Sequence, residues 1–117
     1  MINYTFYIKT FKNGDMLPLI KVEAPFDELC DLSNGFVGTI DGATRIIENI
    51  EQVISREKDS YIFGGSDFVI VGVSDDTTTI TSFLEDEEKI QNIPTNEILK
   101  LMKDWLNYLT DLKHNQQ

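Results

Sequence analysis

Apolar and polar residues alternate from the start of the chain. Ile2, Tyr4, Phe6 and Ile8 occupy one set of positions, and Asn3, Thr5, Tyr7 and Lys9 the other. Period two with β-branched and aromatic side chains predicts a half-buried strand. Lys12-Asn13-Gly14-Asp15 follows. Asn-Gly accepts the positive φ angles of a type I′ turn, so a hairpin is expected, returning from about Met16 to Val22. Pro18 cannot donate to a ladder, which marks the return strand as an edge. Ala24-Pro25 then breaks the pattern, Phe26 to Leu32 read as a helical turn, Ser33-Asn34-Gly35 as turn chemistry, and Phe36 to Ile40 as a short strand.

The period then lengthens. Ile46, Ile47, Ile50, Val53 and Ile54 fall at helical spacing, with Arg45, Glu48, Asn49, Glu51, Gln52 and Arg56 outside the stripe. Asp41 is the expected N-cap and Lys58 suits the C-terminal end. The most apolar run of the chain, Phe68 to Val73, sits inside the stretch Ser60 to Phe83. That stretch predicts three short strands: Tyr61–Phe63, Phe68–Val73 and Thr77–Phe83, with turns at Gly64-Gly65-Ser66 and Ser74-Asp75-Asp76. The middle strand is apolar on both faces, as in an inner strand covered on two sides or with its second face partly shielded. The threonines of the third suggest a solvated face. Glu85-Asp86-Glu87-Glu88 reads as an acidic loop. Thr95 is the expected N-cap of a last helix running to about Lys113, with Ile98, Leu101, Met102, Trp105, Leu109 and Leu112 as its buried stripe.

The predicted architecture is therefore one α+β domain over residues 1–117, with the last few residues disordered. It has a mainly antiparallel sheet of about five strands and two main helices packed on it, in the order β-β-α-β-β-β-α. A chain of 117 residues is long enough for one real core.

Charge adds the first functional information. Twenty acids face ten bases, a formal net charge of −10. Val22 to Thr44 holds five acids and no Lys or Arg, and Asp59 to Glu88 holds eight acids and again no Lys or Arg. A fold that joins these windows carries a field of one sign. Such a field repels nucleic acid and anionic membrane and draws in basic partners; it also serves plain solubility. The single cysteine, Cys30, fits a reducing compartment, and neither a signal peptide nor a membrane-spanning run is read from the sequence, so a cytoplasmic protein is expected.

Candidate chemistry is sparse. The one histidine, His114, lies in a tail expected to fray, a poor frame for a nucleophile–base pair. Cys30 has no basic residue between Lys21 and Arg45 to lower its pKa, and reads as a small buried side chain. One Cys and one His cannot build a tetrahedral zinc site, and the acids lack EF-hand spacing. Gly35, Gly38 and Gly42 precede a helix, but their spacing is not that of a phosphate loop and Asp41 would oppose an anion there. They read as turn and close-packing glycines. No catalytic residue, cofactor or metal is therefore expected.

Gly38-Thr39-Ile40-Asp41-Gly42 leading into Arg45-Ile46-Ile47-Glu48-Asn49-Ile50-Glu51, then Ser60-Tyr61-Ile62-Phe63-Gly64-Gly65-Ser66-Asp67-Phe68, then Ile93-Pro94-Thr95-Asn96-Glu97-Ile98-Leu99 with Trp105, resemble small bacterial immunity proteins of polymorphic-toxin systems, including contact-dependent growth inhibition. The likeness spans about residues 36–109. It implies a cytosolic protein that binds one cognate basic toxin domain, often a nuclease, and blocks it. The carboxylates best placed to imitate phosphate are Asp75, Asp76, Glu85, Asp86, Glu87 and Glu88, with Glu48 and Glu51 on the first helix as a second patch. Strand addition at Met16–Val22 is a competing mode. The alternatives are an acidic adaptor or regulatory domain and, third, a small hydrolase or ligand-binding enzyme, which needs a deep pocket.

Overall fold

The computed structural model describes residues 2–66, 68–83 and 87–115. In chain order the elements are β1 (Tyr4–Thr10), β2 (Met16–Val22), two 3-10 helices (Asp27–Ser33 and Gly35–Gly38), α1 (Ile40–Ile54), β3 (Tyr61–Ser66), β4 (Val69–Val73), β5 (Thr77–Ser82), β6 (Lys89–Pro94) and α2 (Thr95–Asn115). The class is α+β. The strands divide into two antiparallel sheets, the hairpin β1-β2 and a meander in the order β3-β4-β5-β6.

The hairpin pairs Tyr4 with Val22 through Thr10 with Met16. Its loop differs from the expected type I′ turn. The Gly14 N–H donates to the Phe11 carbonyl at 3.0 Å, the Phe11 N–H donates to Asp15 O at 2.8 Å, and Gly14, at φ 92°, takes positive φ while Asn13 does not. This is a three-residue loop, a type I turn closed by a left-handed glycine.

The expected strand at 36–40 is instead the second 3-10 helix followed by the start of α1. Gly38 and Gly42 explain the change. A Cβ on Gly42 would lie 1.8 Å from the Phe36 carbonyl oxygen, and one on Gly38 2.5 Å from the Ser33 oxygen. Only glycine lets these turns approach so closely. The N-cap of α1 is Thr39, whose Oγ1 accepts from the Gly42 N–H at 2.9 Å; Asp41 sits in the first turn. The helix stops at Ile54, short of Lys58. The Glu57 N–H donates to Gln52 O at 2.9 Å and the Arg56 N–H to Val53 O at 3.1 Å, with Arg56 left-handed at φ 67°. That is a Schellman end with arginine in the usual glycine position.

The core is one cluster. It holds Ile46, Ile47, Ile50 and Val53 of α1, Ile98, Leu101, Met102, Trp105 and Leu109 of α2, and Phe63, Val69, Val71, Val73, Ile80 and Ile93 of the four-stranded sheet, joined by Ile20, Val22, Leu29, Leu32 and Val37. Trp105 is fully buried; its indole N–H donates to Val37 O at 2.9 Å, and its ring lies 5.4 Å from Phe6 and 6.0 Å from Tyr108. One side chain thus ties α2 to the second 3-10 helix and to the hairpin. Truncating such a residue costs about 3–5 kcal/mol.

Thr95 begins α2, but its hydroxyl serves another purpose than capping. It bonds Ser74 O at 2.7 Å and the buried Thr78 hydroxyl at 2.9 Å, while the Thr95 N–H donates to Asp76 O at 3.0 Å. The start of α2 is thereby pinned to the β4–β5 turn. Its far end continues through His114 and Asn115, beyond the predicted Lys113.

Candidate protein-binding surface

The alternation along β3–β6 sorts their side chains onto two faces. Phe63, Val69, Val71, Val73, Thr78, Ile80, Ser82 and Ile93 are buried beneath the sheet. The intervening positions face outward. On β3 this places Ile62 outside, 68% exposed; on β4, Ile70 and Gly72; on β5, Thr77, Thr79 and Thr81; on β6, Ile90, 59% exposed, and Asn92. Phe68 and Phe83, at the ends of β4 and β5, are 57% and 41% exposed and joined by the Phe83 N–H donating to Phe68 O at 2.8 Å. None of these residues is charged.

The register makes the apolar ones neighbours. Ile62 faces Gly72, Ile70 faces Thr81, and Thr81 faces Ile90. Ile62, Ile70, Phe68, Phe83 and Ile90 therefore form one band across all four strands. Taking about 200 Å² for a free Ile or Phe side chain, they leave on the order of 500 Å² exposed. The apolar run Phe68–Val73 is thus an inner strand within the sheet, but the described residues cover only one of its faces.

The carboxylates fall into separate groups. Asp75 and Asp76 form the β4–β5 turn, at one end of this face. Asp75 lies 3.6 Å from the Arg56 guanidinium, and the Asp76 carboxylate accepts from Thr77 Oγ1 at 3.2 Å. Glu87 and Glu88 are exposed just before β6, at the opposite end. Glu85 and Asp86 lie outside the described residues. The two ends are separated by the length of β5, about 17 Å at the usual strand rise. Glu48 and Glu51 are on the solvent side of α1, in the helical layer, and Glu51 is 3.5 Å from Lys103 of α2. The second patch is therefore apart from the sheet face.

The two base-free windows do meet. The 3-10 helices, within the first, pack on β3, and the longer one also on β4, both strands within the second. Lys89, just past the second window, is the cation that enters the contact. Its ammonium donates to Glu28 at 2.7 Å, and this bond holds its pKa above the ordinary lysine value. The Glu28 side chain is 12% exposed, and its Oε2 is buried without a hydrogen-bond partner among the described residues.

The edge of β2 is less inviting than its position suggests. The ladder alternation turns the main-chain groups of Met16, Pro18, Ile20 and Val22 toward the side away from β1. Pro18 has no N–H to offer, and the Val22 N–H is 3.2 Å from Cys30 Sγ. An added strand would find two of its acceptors unmatched, the usual way in which edges are protected. This contact also defines Cys30, which is half-buried and acts as the acceptor for that amide.

Three clefts among the described residues hold about 210–240 Å³ each, smaller than ordinary ligand pockets. One, lined by Asp41, Thr44, Arg45 and Glu48, contains a carboxylate singled out from the sequence. Elsewhere, Tyr4 donates its hydroxyl to the Asp104 carboxylate. Burial first, then that bond and the negative charge of Asp104 and Glu97, push the Tyr4 phenol well above its ordinary pKa. Burial also raises Tyr61. Among the described residues, no helix is long and apolar enough to cross a membrane.

The open apolar face is what sequence reasoning missed. The signal was present in Ile62, Ile70 and Ile90, which share a parity with the threonines of β5. It was masked because apolar alternate positions read equally well as a second buried face. Compared with known proteins, the chain matches no family model, no curated protein and no solved structure.

Proposed function

We propose that the protein is a binding protein of the cytosol that captures and neutralises a cognate basic toxin domain, a nuclease being the class its charge suits best. The reading rests above all on the contact between the two base-free acidic windows in a chain of net charge −10. A nuclease must present cations to phosphate. A surface of one negative sign associates with such cations fast and occupies them. Asp75 and Asp76 at one end and Glu87 and Glu88 at the other form the charged ends of the contact surface, and Glu48 and Glu51 add to the long-range field.

The test is co-production with a candidate toxin domain of basic charge, sought among the genes beside the one for this chain. Cells carrying both genes grow, while cells with the basic domain alone do not. Growth arrest in both strains contradicts the reading. Survival of cells given the basic domain alone removes the toxin and leaves an adaptor, which would use the same surface.

A further inference from the structure

We infer that the open face of the β3–β6 sheet is the docking floor for this partner, and that Gly72 is the point where the partner's main chain crosses it; this rests on the toxin-binding reading above. Two independent observations converge. The first is the contiguous uncharged band from Ile62 through Ile70 and Phe68 to Ile90. A patch of this size is about the largest that a typical monomer exposes, and such patches are often functional.

The second is that nothing among the described residues requires a glycine at 72. It lies inside β4, between Ile62 and Thr79 on the neighbouring strands. A Cβ there would meet only the Thr79 carbonyl oxygen at 3.8 Å, an ordinary contact, and its φ is not in the left-handed region. Gly38 and Gly42, by contrast, would collide with backbone oxygens. Glycine in a strand interior weakens the strand and marks a bulge, a bend or the close approach of another chain; the irregularity of β3 lies at Phe63–Ser66, and the Ile62–Gly72 pair is in regular register. Position 72 is a notch in the band, walled by Ile62 on one side and by Ile70, two residues along the same strand, on the other.

The occupant is a basic protein rather than a second copy. Carboxylates stand at both ends of the face, Asp75 and Asp76 at one and Glu87 and Glu88 at the other. Two copies stacked face to face would oppose net charges of −10. A partner element with an apolar ridge flanked by Lys or Arg about 17 Å apart satisfies both the band and its ends.

The experiment compares wild type, Gly72→Val, Ile62→Thr and Glu87→Gln/Glu88→Gln for binding to the candidate basic domain, catalytically inactivated, with thermal unfolding of each free protein. Gly72→Val keeps or raises the Tm, because a β-branched residue suits the strand and has room, yet weakens binding by on the order of thirtyfold or more, as a centre of an interface does. Ile62→Thr weakens binding while Tm is kept. The double carboxamide variant slows association. Wild-type affinity in Gly72→Val and Ile62→Thr with binding otherwise intact overturns the docking floor and leaves the toxin reading standing. Absence of binding by wild type overturns the toxin reading, and this inference with it. A wild-type dimer by sedimentation that Gly72→Val dissociates overturns the choice of a basic occupant.

Discussion

Replacing Thr95 by valine should cost far more than replacing its partner Thr78, although the two hydroxyls are 2.9 Å apart and both side chains are buried. A hydroxyl has one proton to give. That of Thr95 goes to Ser74 O, 2.7 Å away, because a carbonyl can only accept. The proton between the two threonines therefore belongs to Thr78. Thr78→Val removes one neutral hydrogen bond and leaves Thr95 still donating, a loss of about 1 kcal/mol. Thr95→Val breaks both bonds, leaves the Thr78 O–H without an acceptor and takes a partner from Ser74 O, a loss of about 2–4 kcal/mol. In the double variant the orphaned Thr78 donor is gone. The pair should then be about 1–2 kcal/mol less destabilised than the sum of the single changes. Urea unfolding followed by the emission of Trp105, the only tryptophan and fully buried, measures all four proteins. The midpoints should move with the slope unchanged. Equal single costs, or strict additivity, would refute the proton order and with it the claim that this relay pins α2 to the β4–β5 turn.

Gly42→Ala drives a methyl into the Phe36 carbonyl and should cost about 3 kcal/mol or more, read as a lowered urea midpoint or as loss of folded protein on expression. Arg56→Gly relieves a left-handed arginine at the end of α1, and chemical unfolding should show a gain of about 0.5–1 kcal/mol even though the exposed contact to Asp75 is lost. The raised Tyr4 phenol makes the protein lose stability as pH rises above about 10, where the unfolded chain ionises and the folded one resists. Tyr4→Phe should flatten that alkaline limb and remove the last step from the absorbance titration at 295 nm. Lys89→Met strands the Glu28 carboxylate and should destabilise more than Glu28→Gln, compared by thermal unfolding at neutral pH.

The elements that announced themselves in the sequence were those where one period governs a whole element. The hairpin, α1 and α2 each bury a single face, so Tyr4 and Phe6, or Ile46, Ile50 and Val53, are spaced as their element requires. β6 was not legible, because Ile93 is its only buried residue and its register is set by the ladder to β5 rather than by its own pattern. The segment 35–40 misled because Phe36-Val37 resembles a strand locally, whereas the approach of Phe36 O to Gly42 is a tertiary fact. Thr95 was assigned the right place and the wrong bond. Its hydroxyl bonds the Ser74 carbonyl, twenty-one positions back along the chain, rather than its own helix end. Glu48 and Glu51 on the first helix, Asp75 and Asp76 in a turn and Glu87 and Glu88 in a loop fall on the elements expected of them, but their grouping depended on topology. Asp75-Asp76 and Glu87-Glu88 border one face, while Glu48 and Glu51 belong to the helical layer.

On the proposed function a negatively charged body meets a positively charged protein, and the association rate with the inactivated basic domain, followed across ionic strength, measures that directly. Steered association predicts a rate well above about 10⁶ M⁻¹s⁻¹ at low salt, falling by tenfold or more as salt screens the carboxylates, with the dissociation rate changing far less. A rate that is slow at low salt and indifferent to added salt would contradict it.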